Sequence, residues 1–138
     1  MSTTFRDISA ALSGRLNTLT GGTPIAWENS EYTPTIGTMF LRETLLPANT
    51  VQGSLGTIGK DEHGGIYQVD IFAPRGSGKG AAVTKADAIA DHFARGTTLT
   101  YNSESIRIRN VSRSNFGYDG GWLILSINIE YFTVTDPR

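Results

Sequence analysis

Apolar residues recur along this chain with two clear periods. Phe5, Ile8, Leu12, Leu16 and Leu19 fall at steps of three and four, which predicts an amphipathic helix. Thr4 and Asp7 have capping-box spacing before it, and Gly21, Gly22 and Pro24 stop it. A second helix is predicted from about Ala81 to Ala94, with Val83, Ala86, Ile89, Ala90 and Phe93 as its apolar stripe and Gly96 beyond its end. Elsewhere the period is two. Tyr67, Val69 and Ile71 alternate with Gln68 and Asp70, and Ile106 and Ile108 alternate with Arg107 and Arg109. The longest strand starts at Trp122. Leu123, Leu125, Ile127, Ile129 and Tyr131 face one way, and Trp122, Ile124, Ser126, Asn128 and Glu130 the other.

Weaker signals fill the gaps. Ile25–Glu28 reads as a short strand, Asn29–Gly37 as a contact loop holding Tyr32 and Pro34, and Thr38–Leu46 as a strand ended by Pro47. In that strand Met39, Leu41 and Leu45 share one face, and Phe40 and Leu46 the other, so both faces need cover. Val51–Ile58 is a strand broken by Gly53 and Gly56, joined through a charged turn (Gly59–Gly65) to the strand Ile66–Ala73 in a hairpin. Leu99–Tyr101 is a very short strand, and Ser114–Gly121 a turn. One helix, four strands, one helix and two or three strands predict an α+β fold. It would be a single domain over residues 1–138, a mostly antiparallel or mixed sheet with both helices packed on one face.

Composition narrows the chemistry. The 138 residues carry 38% hydrophobic side chains and a net charge of −1, which suits a folded domain with no field to draw it to nucleic acid or an anionic membrane. Cysteine is absent, which removes disulfides, thiolate catalysis and cysteine-held zinc. The N-terminal residues lack the pattern of a signal peptide, and the longest apolar run, Trp122–Leu125, cannot span a bilayer.

Arg75-Gly76-Ser77-Gly78-Lys79-Gly80 lies between a strand ending at Pro74 and the second helix, the place of a phosphate loop. It fails that test. Ala73 stands where a Walker A loop needs its first glycine, and Gly80 where it needs Ser or Thr. What remains is a flexible connector or a basic contact loop that orders on a partner. His63 is expected in a turn and His92 on the second helix. Neither has a metal-binding or catalytic spacing, so both read as surface residues, with no metal and no cofactor. Gly76-Ser77-Gly78 lacks the nucleophile-elbow spacing; paired carboxylates could come from Asp61, Glu62 and Asp70, but Asp61 and Glu62 fall in a turn too mobile for acid–base work, so no catalytic residue is expected. Arg107 and Arg109 share a strand face. With Arg42, Arg75 and Lys79 nearby and Tyr101, Phe116 and Tyr118 to stack on bases, they could form a small nucleic-acid-binding surface; acids outnumber bases 13 to 12, which favours a solvated or partner-facing strand.

An ordered series of short pieces carries a resemblance: Trp27-Glu28-Asn29, Tyr32-x-Pro34, Gly37-Thr38-x-Phe40-Leu41-Arg42, Leu46-Pro47, Leu55-Gly56, Gly65-Ile66-Tyr67-Gln68-Val69, Pro74-x-Gly76-x-Gly78, Ala86-Asp87-x-Ile89 with Phe93, and Gly121-Trp122. Together, from about residue 5 to 133, they resemble the tail-terminator-like proteins of long-tailed phages, related in fold to the lambda tail terminator. The resemblance implies a small α+β subunit that closes into a hexameric ring. Such a ring caps the tail tube, ends tube polymerisation and meets the head-completion or connector proteins, while genomic DNA passes its lumen without specific binding. It further implies a virion protein at the head-proximal end of the tail, assembled in host cytoplasm, with no enzyme activity and no membrane. Another neck or head-completion protein of similar size is the alternative within assembly. The residues expected at interfaces are Tyr32, Pro34, Phe40, Arg42, Arg75, Gly76, Gly78, Lys79, Arg107, Arg109 and Trp122.

Overall fold

The C-terminal alternating run organises the sheet. In the computed structural model, which describes residues 4–19, 23–47, 51–52, 61–101 and 104–135, Trp122–Thr135 (β8) is a 14-residue strand. Its side chains Leu123, Leu125, Ile127, Ile129 and Tyr131 are all buried. Asp61–Pro74 (β4) pairs with it antiparallel from Asp61↔Thr135 to Pro74↔Trp122. On the other side of β4 lie Phe40–Pro47 (β2) and Val51–Gln52 (β3), both antiparallel. Ile25–Ala26 (β1) adds a parallel edge to β2. Beyond β8 come Glu104–Arg113 (β6), Gly117–Asp119 (β7) and, at the far edge, Thr98–Tyr101 (β5), in the order β1-β2-β4-β8-β6-β5 with β3 and β7 beside β4 and β8.

Two helices pack on this sheet. Thr4–Asn17 (α1) lies on β5 and β6, and Gly80–His92 (α2) on β4, β8 and β6. Ile8, Ala11, Leu12 and Leu16 from α1, with Ala82, Ala86, Ile89 and Phe93 from α2 and its C-cap, share one core with the inward row of the sheet. The expected α+β class and its mainly antiparallel, helix-covered sheet are therefore what the protein adopts.

Several local expectations change. β4 begins at Asp61, so Asp61–Gly65 are ladder residues rather than a turn; β8 runs on to Thr135 and supplies their partners. His63 is consequently buried, with Phe5 edge-on to it at 5.7 Å. Phe5 itself is 57% exposed and leaves the α1 stripe. Only Val51–Gln52 of the Val51–Ile58 strand is described, and residues 53–60 lie outside the described residues. Among the described residues four strands follow α2 instead of two or three, because Gly117–Asp119 pairs with Trp122–Ile124 across a turn that uses Gly120 at φ 57. His92 also has partners. Its Nε2 lies 2.8 Å from the Arg15 carbonyl and 2.8 Å from Thr18 Oγ1, while Arg15 Nε donates to the His92 carbonyl at 2.9 Å. This reciprocal clasp joins the C-terminal ends of the two helices.

The helix-facing side buries a polar cluster around Glu43. Glu43 Oε1 accepts hydrogen bonds from the Tyr67 hydroxyl at 2.5 Å and Ser13 Oγ at 2.7 Å, and Oε2 accepts one from the Glu28 N–H at 3.1 Å. Burial pushes the Tyr67 phenol well above its usual range, and the hydrogen bond to Glu43 adds to this. The same region blunts the β2 edge. The Leu41 N–H donates to the Pro24 carbonyl at 2.9 Å, the Leu45 N–H donates to Glu28 Oε1 at 3.0 Å, and position 47 is a proline with no N–H.

One glycine is a helix interior position with no structural demand. A Cβ at Gly14 would meet nothing within 4 Å. Gly14→Ala is expected to raise stability by about 0.5–1 kcal/mol through lost unfolded-state freedom, read as a higher urea midpoint at an unchanged slope.

Candidate interface surfaces

The outward face of the sheet, opposite the helices, is built by register. Phe40, Phe72 and Ile124 form one cross-strand row; Arg42, Asp70 and Ser126 form the next; Thr44, Gln68 and Asn128 follow, then Leu46, Ile66 and Glu130. Phe40 and Phe72 stack with centroids 4.6 Å apart and planes 12° apart. Trp122 stands edge-on to Phe40 at 5.1 Å, and Tyr32, from the loop before β2, lies 5.0 Å from Phe40. Phe40 and Phe72 are buried yet sit outside the helix-side core. The chain's own loop thus covers Phe40, while Trp122 stays half-buried and Pro34 exposed. Ile36, in the same loop, is 97% exposed.

Next to the aromatic row, Arg42 is locked in place. Asp70 Oδ2 accepts from its Nε at 3.1 Å and Nη2 at 2.7 Å, and the guanidinium lies 4.8 Å from the Phe72 ring centroid. Asp70 Oδ1 accepts from Gln68 Nε2 at 2.8 Å and Ser126 Oγ at 2.5 Å. Asp70 does point outward as its alternation requires, but these donors bury it, with 1% of its side chain exposed against 53% for Arg42. A buried acid held by four donors fixes a half-exposed arginine, which is a preorganised way to present a cation. At the other end of this face Leu46, Ile66 and Val134 are exposed. Arg109 covers the Phe132 ring at 4.3 Å and approaches Glu62 at 3.2 Å and Glu130 at 3.7 Å; Arg107 is exposed.

The glycine-rich loop leans on the β7–β8 hairpin. The Arg75 N–H donates to the Gly121 carbonyl at 2.8 Å, its guanidinium lies 4.7 Å from the Tyr118 ring centroid, and its Nη1 donates to the Gly120 carbonyl at 3.2 Å. Gly76 at φ 90 and Gly78 at φ 85 occupy left-handed backbone that side chains resist. Gly76, Gly78, Lys79, Phe116, Tyr118 and Leu123 line a cavity of about 330 Å³.

The eleven sequence-selected residues therefore fall into three groups. Tyr32, Phe40, Arg42 and Trp122 are brought together, with Pro34 two positions from Tyr32. Arg75, Gly76, Gly78 and Lys79 form the loop. Arg107 and Arg109 stand apart: Arg107 pairs with Phe132 and Pro74 with Trp122, ten positions away along β8, or roughly 33 Å. The basic residues do not merge into one patch, and Arg109 is already paired with acids. The residues expected at interfaces do not include Phe72, Asp70 and Ser126, and Tyr118 stands only among the candidates for stacking on bases. For Phe72 the signal was present, since the Tyr67–Val69–Ile71 row puts it on the outward face beside Phe40. Among the described residues no group of three or more His, Asp or Glu is placed to hold a metal ion, and no helix is long and apolar enough to cross a membrane.

Comparison with known proteins gives both family and fold. The family model described as phage tail terminator protein matches residues 7–131. A solved structure without a functional name is 22% identical, with 99% of this chain and 100% of that chain covered and a TM-score of 0.78. A chain from the virion of a native gene transfer agent particle is 14% identical over 99% and 100% of the two chains, with a TM-score of 0.61. These two share the fold. No curated protein matches the chain.

Proposed function

From the premise that this chain belongs to the phage tail terminator family, and is a structural protein of the phage tail, we propose that its copies close into a hexameric ring that caps the tail tube. The ring ends tube polymerisation on one side and offers a joining surface to the head-completion or connector protein on the other. It acts by binding alone and catalyses nothing. The similarity in fold to a chain of a gene transfer agent virion supports a place in the particle.

The observation that carries this reading is the outward sheet face. Half-buried Tyr32 and Trp122 flank the buried Phe40–Phe72 stack beside the locked Arg42, and Leu46, Ile66 and Val134 remain exposed further along. Aromatic and arginine anchors of this kind concentrate binding energy at interfaces. A contact between two different patches of one subunit closes into a ring when its rotation closes. A net charge of −1 leaves a lumen with little hold on passing phosphates.

The test is genetic and hydrodynamic. A phage with a nonsense codon in this gene is expected to make tails of irregular, excessive length that do not join heads, and the purified chain to reach about 89 kDa as six subunits of 14.9 kDa. Tails of normal length joined to capsids without the protein would refute the reading.

A further inference from the structure

We propose that neighbouring copies join head to tail by seating the outward sheet face of one subunit on the solvent face of α2 of the next. This rests on the ring reading and names the surfaces that would close it. The two patches differ and lie on opposite sides of the sheet, so their contact is heterologous and propagates from copy to copy.

Charge selects the partner. Thr84, Asp87 and Asp91 are exposed on α2, three and four residues apart and therefore on one face. Between Gly80 and His92 the only other ionisable side chains are Lys85 and His92, and both are half-buried. The helix thus offers an acidic row. The sheet face offers Arg42, aimed and held by Asp70, whose own carboxyl is covered. Seating that face on a second copy of itself would instead bring Arg42 towards Arg42.

Shape agrees. The solvent side of α2 carries Gly80, Ala81, Thr84 and Asp87, all small or short, and gives a smooth ridge. The sheet face presents the bulky groups Trp122, Leu46 and Ile66. Phe40 to Leu46 spans six residue steps along β2, roughly 20 Å, and the 13 residues of α2 span about the same length. Strand addition does not compete at the β2 edge, where Leu41 and Leu45 already donate within the subunit and position 47 lacks an N–H.

The absence of cysteine makes the test direct. Thr44→Cys places a thiol on the sheet face and Thr84→Cys one on α2. Under mild oxidation the double variant is expected to form a covalent ladder up to the ring, and neither single variant to cross-link. As a second measurement, Asp87→Arg with Asp91→Arg, both exposed, is expected to weaken ring assembly at least tenfold while the thermal midpoint of the subunit stays unchanged. Dimers from Thr44→Cys alone would replace this contact with a face-to-face one. Rings that form normally but give no ladder, or that survive the charge reversal, would overturn the assigned surfaces and leave the ring reading standing. A wild-type chain that stays monomeric with and without tail tubes would overturn both.

Discussion

Gly65→Ala is expected to destabilise the protein by about 2–3 kcal/mol, a fall of roughly 10 °C in the unfolding midpoint for a chain of this size. Gly65 lies in the ladder between Pro47 on β2 and Tyr131 on β8. A Cβ there would stand 2.6 Å from the Leu46 carbonyl oxygen, 2.8 Å from the Tyr131 hydroxyl and 2.9 Å from Pro47 Cα. Two of these are backbone atoms of β2, and Tyr131 is buried, so nothing yields cheaply. The methyl group fits only if β2 parts from β4. Gly64→Ala is the control. Its Cβ would meet only the Tyr131 carbonyl at 3.4 Å, and a change within about 0.5 kcal/mol is expected. Circular dichroism melts of the two variants decide the matter; a wild-type midpoint for Gly65→Ala would mean that β2 is not clamped at this register. Because β2 carries Phe40, Arg42 and Leu46, the same variant should also weaken assembly.

The elements that a single period defines were legible in the sequence. The β8 row from Leu123 to Tyr131, the Tyr67–Val69–Ile71 row of β4 and the Ile8–Leu12–Leu16 stripe of α1 all bury as their spacing requires. What failed depended on partners distant in sequence. Asp61–Gly65 resembles a turn in its charges and glycines, and only the length of β8 makes it strand. Gly117–Asp119 has turn composition, and pairing with Trp122–Ile124 makes it a strand.

Of the outward face, local pattern showed that Phe40 and Trp122 oppose the main apolar rows, but their meeting with Tyr32 needed the register of three strands and a loop. Alternation places Asp70 outward without showing that it is buried, and nothing in the local pattern singles out Glu43, which is buried on the helix side. Asp70 is covered because Arg42, Gln68 and Ser126 converge on it from adjacent strands. Glu43 is covered because α1 brings Ser13 to the strand pair. These two acids do opposite jobs, one aiming a cation outward and the other tying the helix layer to the sheet.

That second role gives the other large effect. Glu43→Ala is expected to cost about 3–5 kcal/mol at neutral pH, measured by urea unfolding. It removes the acceptor of the Tyr67 hydroxyl inside the core, and leaves Ser13 Oγ and the Glu28 N–H to find water. A buried donor without an acceptor costs about 1–3 kcal/mol, and the side-chain volume is lost as well. The companion variant, Tyr67→Phe, reads the same site through pH. Burial, with Glu43 beside it, raises the Tyr67 phenol above its ordinary value of 10.0, so the folded protein holds the neutral form. An acid raised on folding stabilises below its unfolded pKa and loses that contribution as pH climbs above it. Wild-type stability should therefore fall above about pH 10 by up to ~1.4 kcal/mol per pH unit on account of Tyr67. Tyr131, which burial also raises, adds a loss in the same direction. Tyr67→Phe is expected to start lower at pH 7, by about 1–2 kcal/mol, and to decline less steeply at alkaline pH, so that the two curves converge. Parallel decline of the two proteins above pH 10 would show that the proton retained on folding is not the one shared between Tyr67 and Glu43.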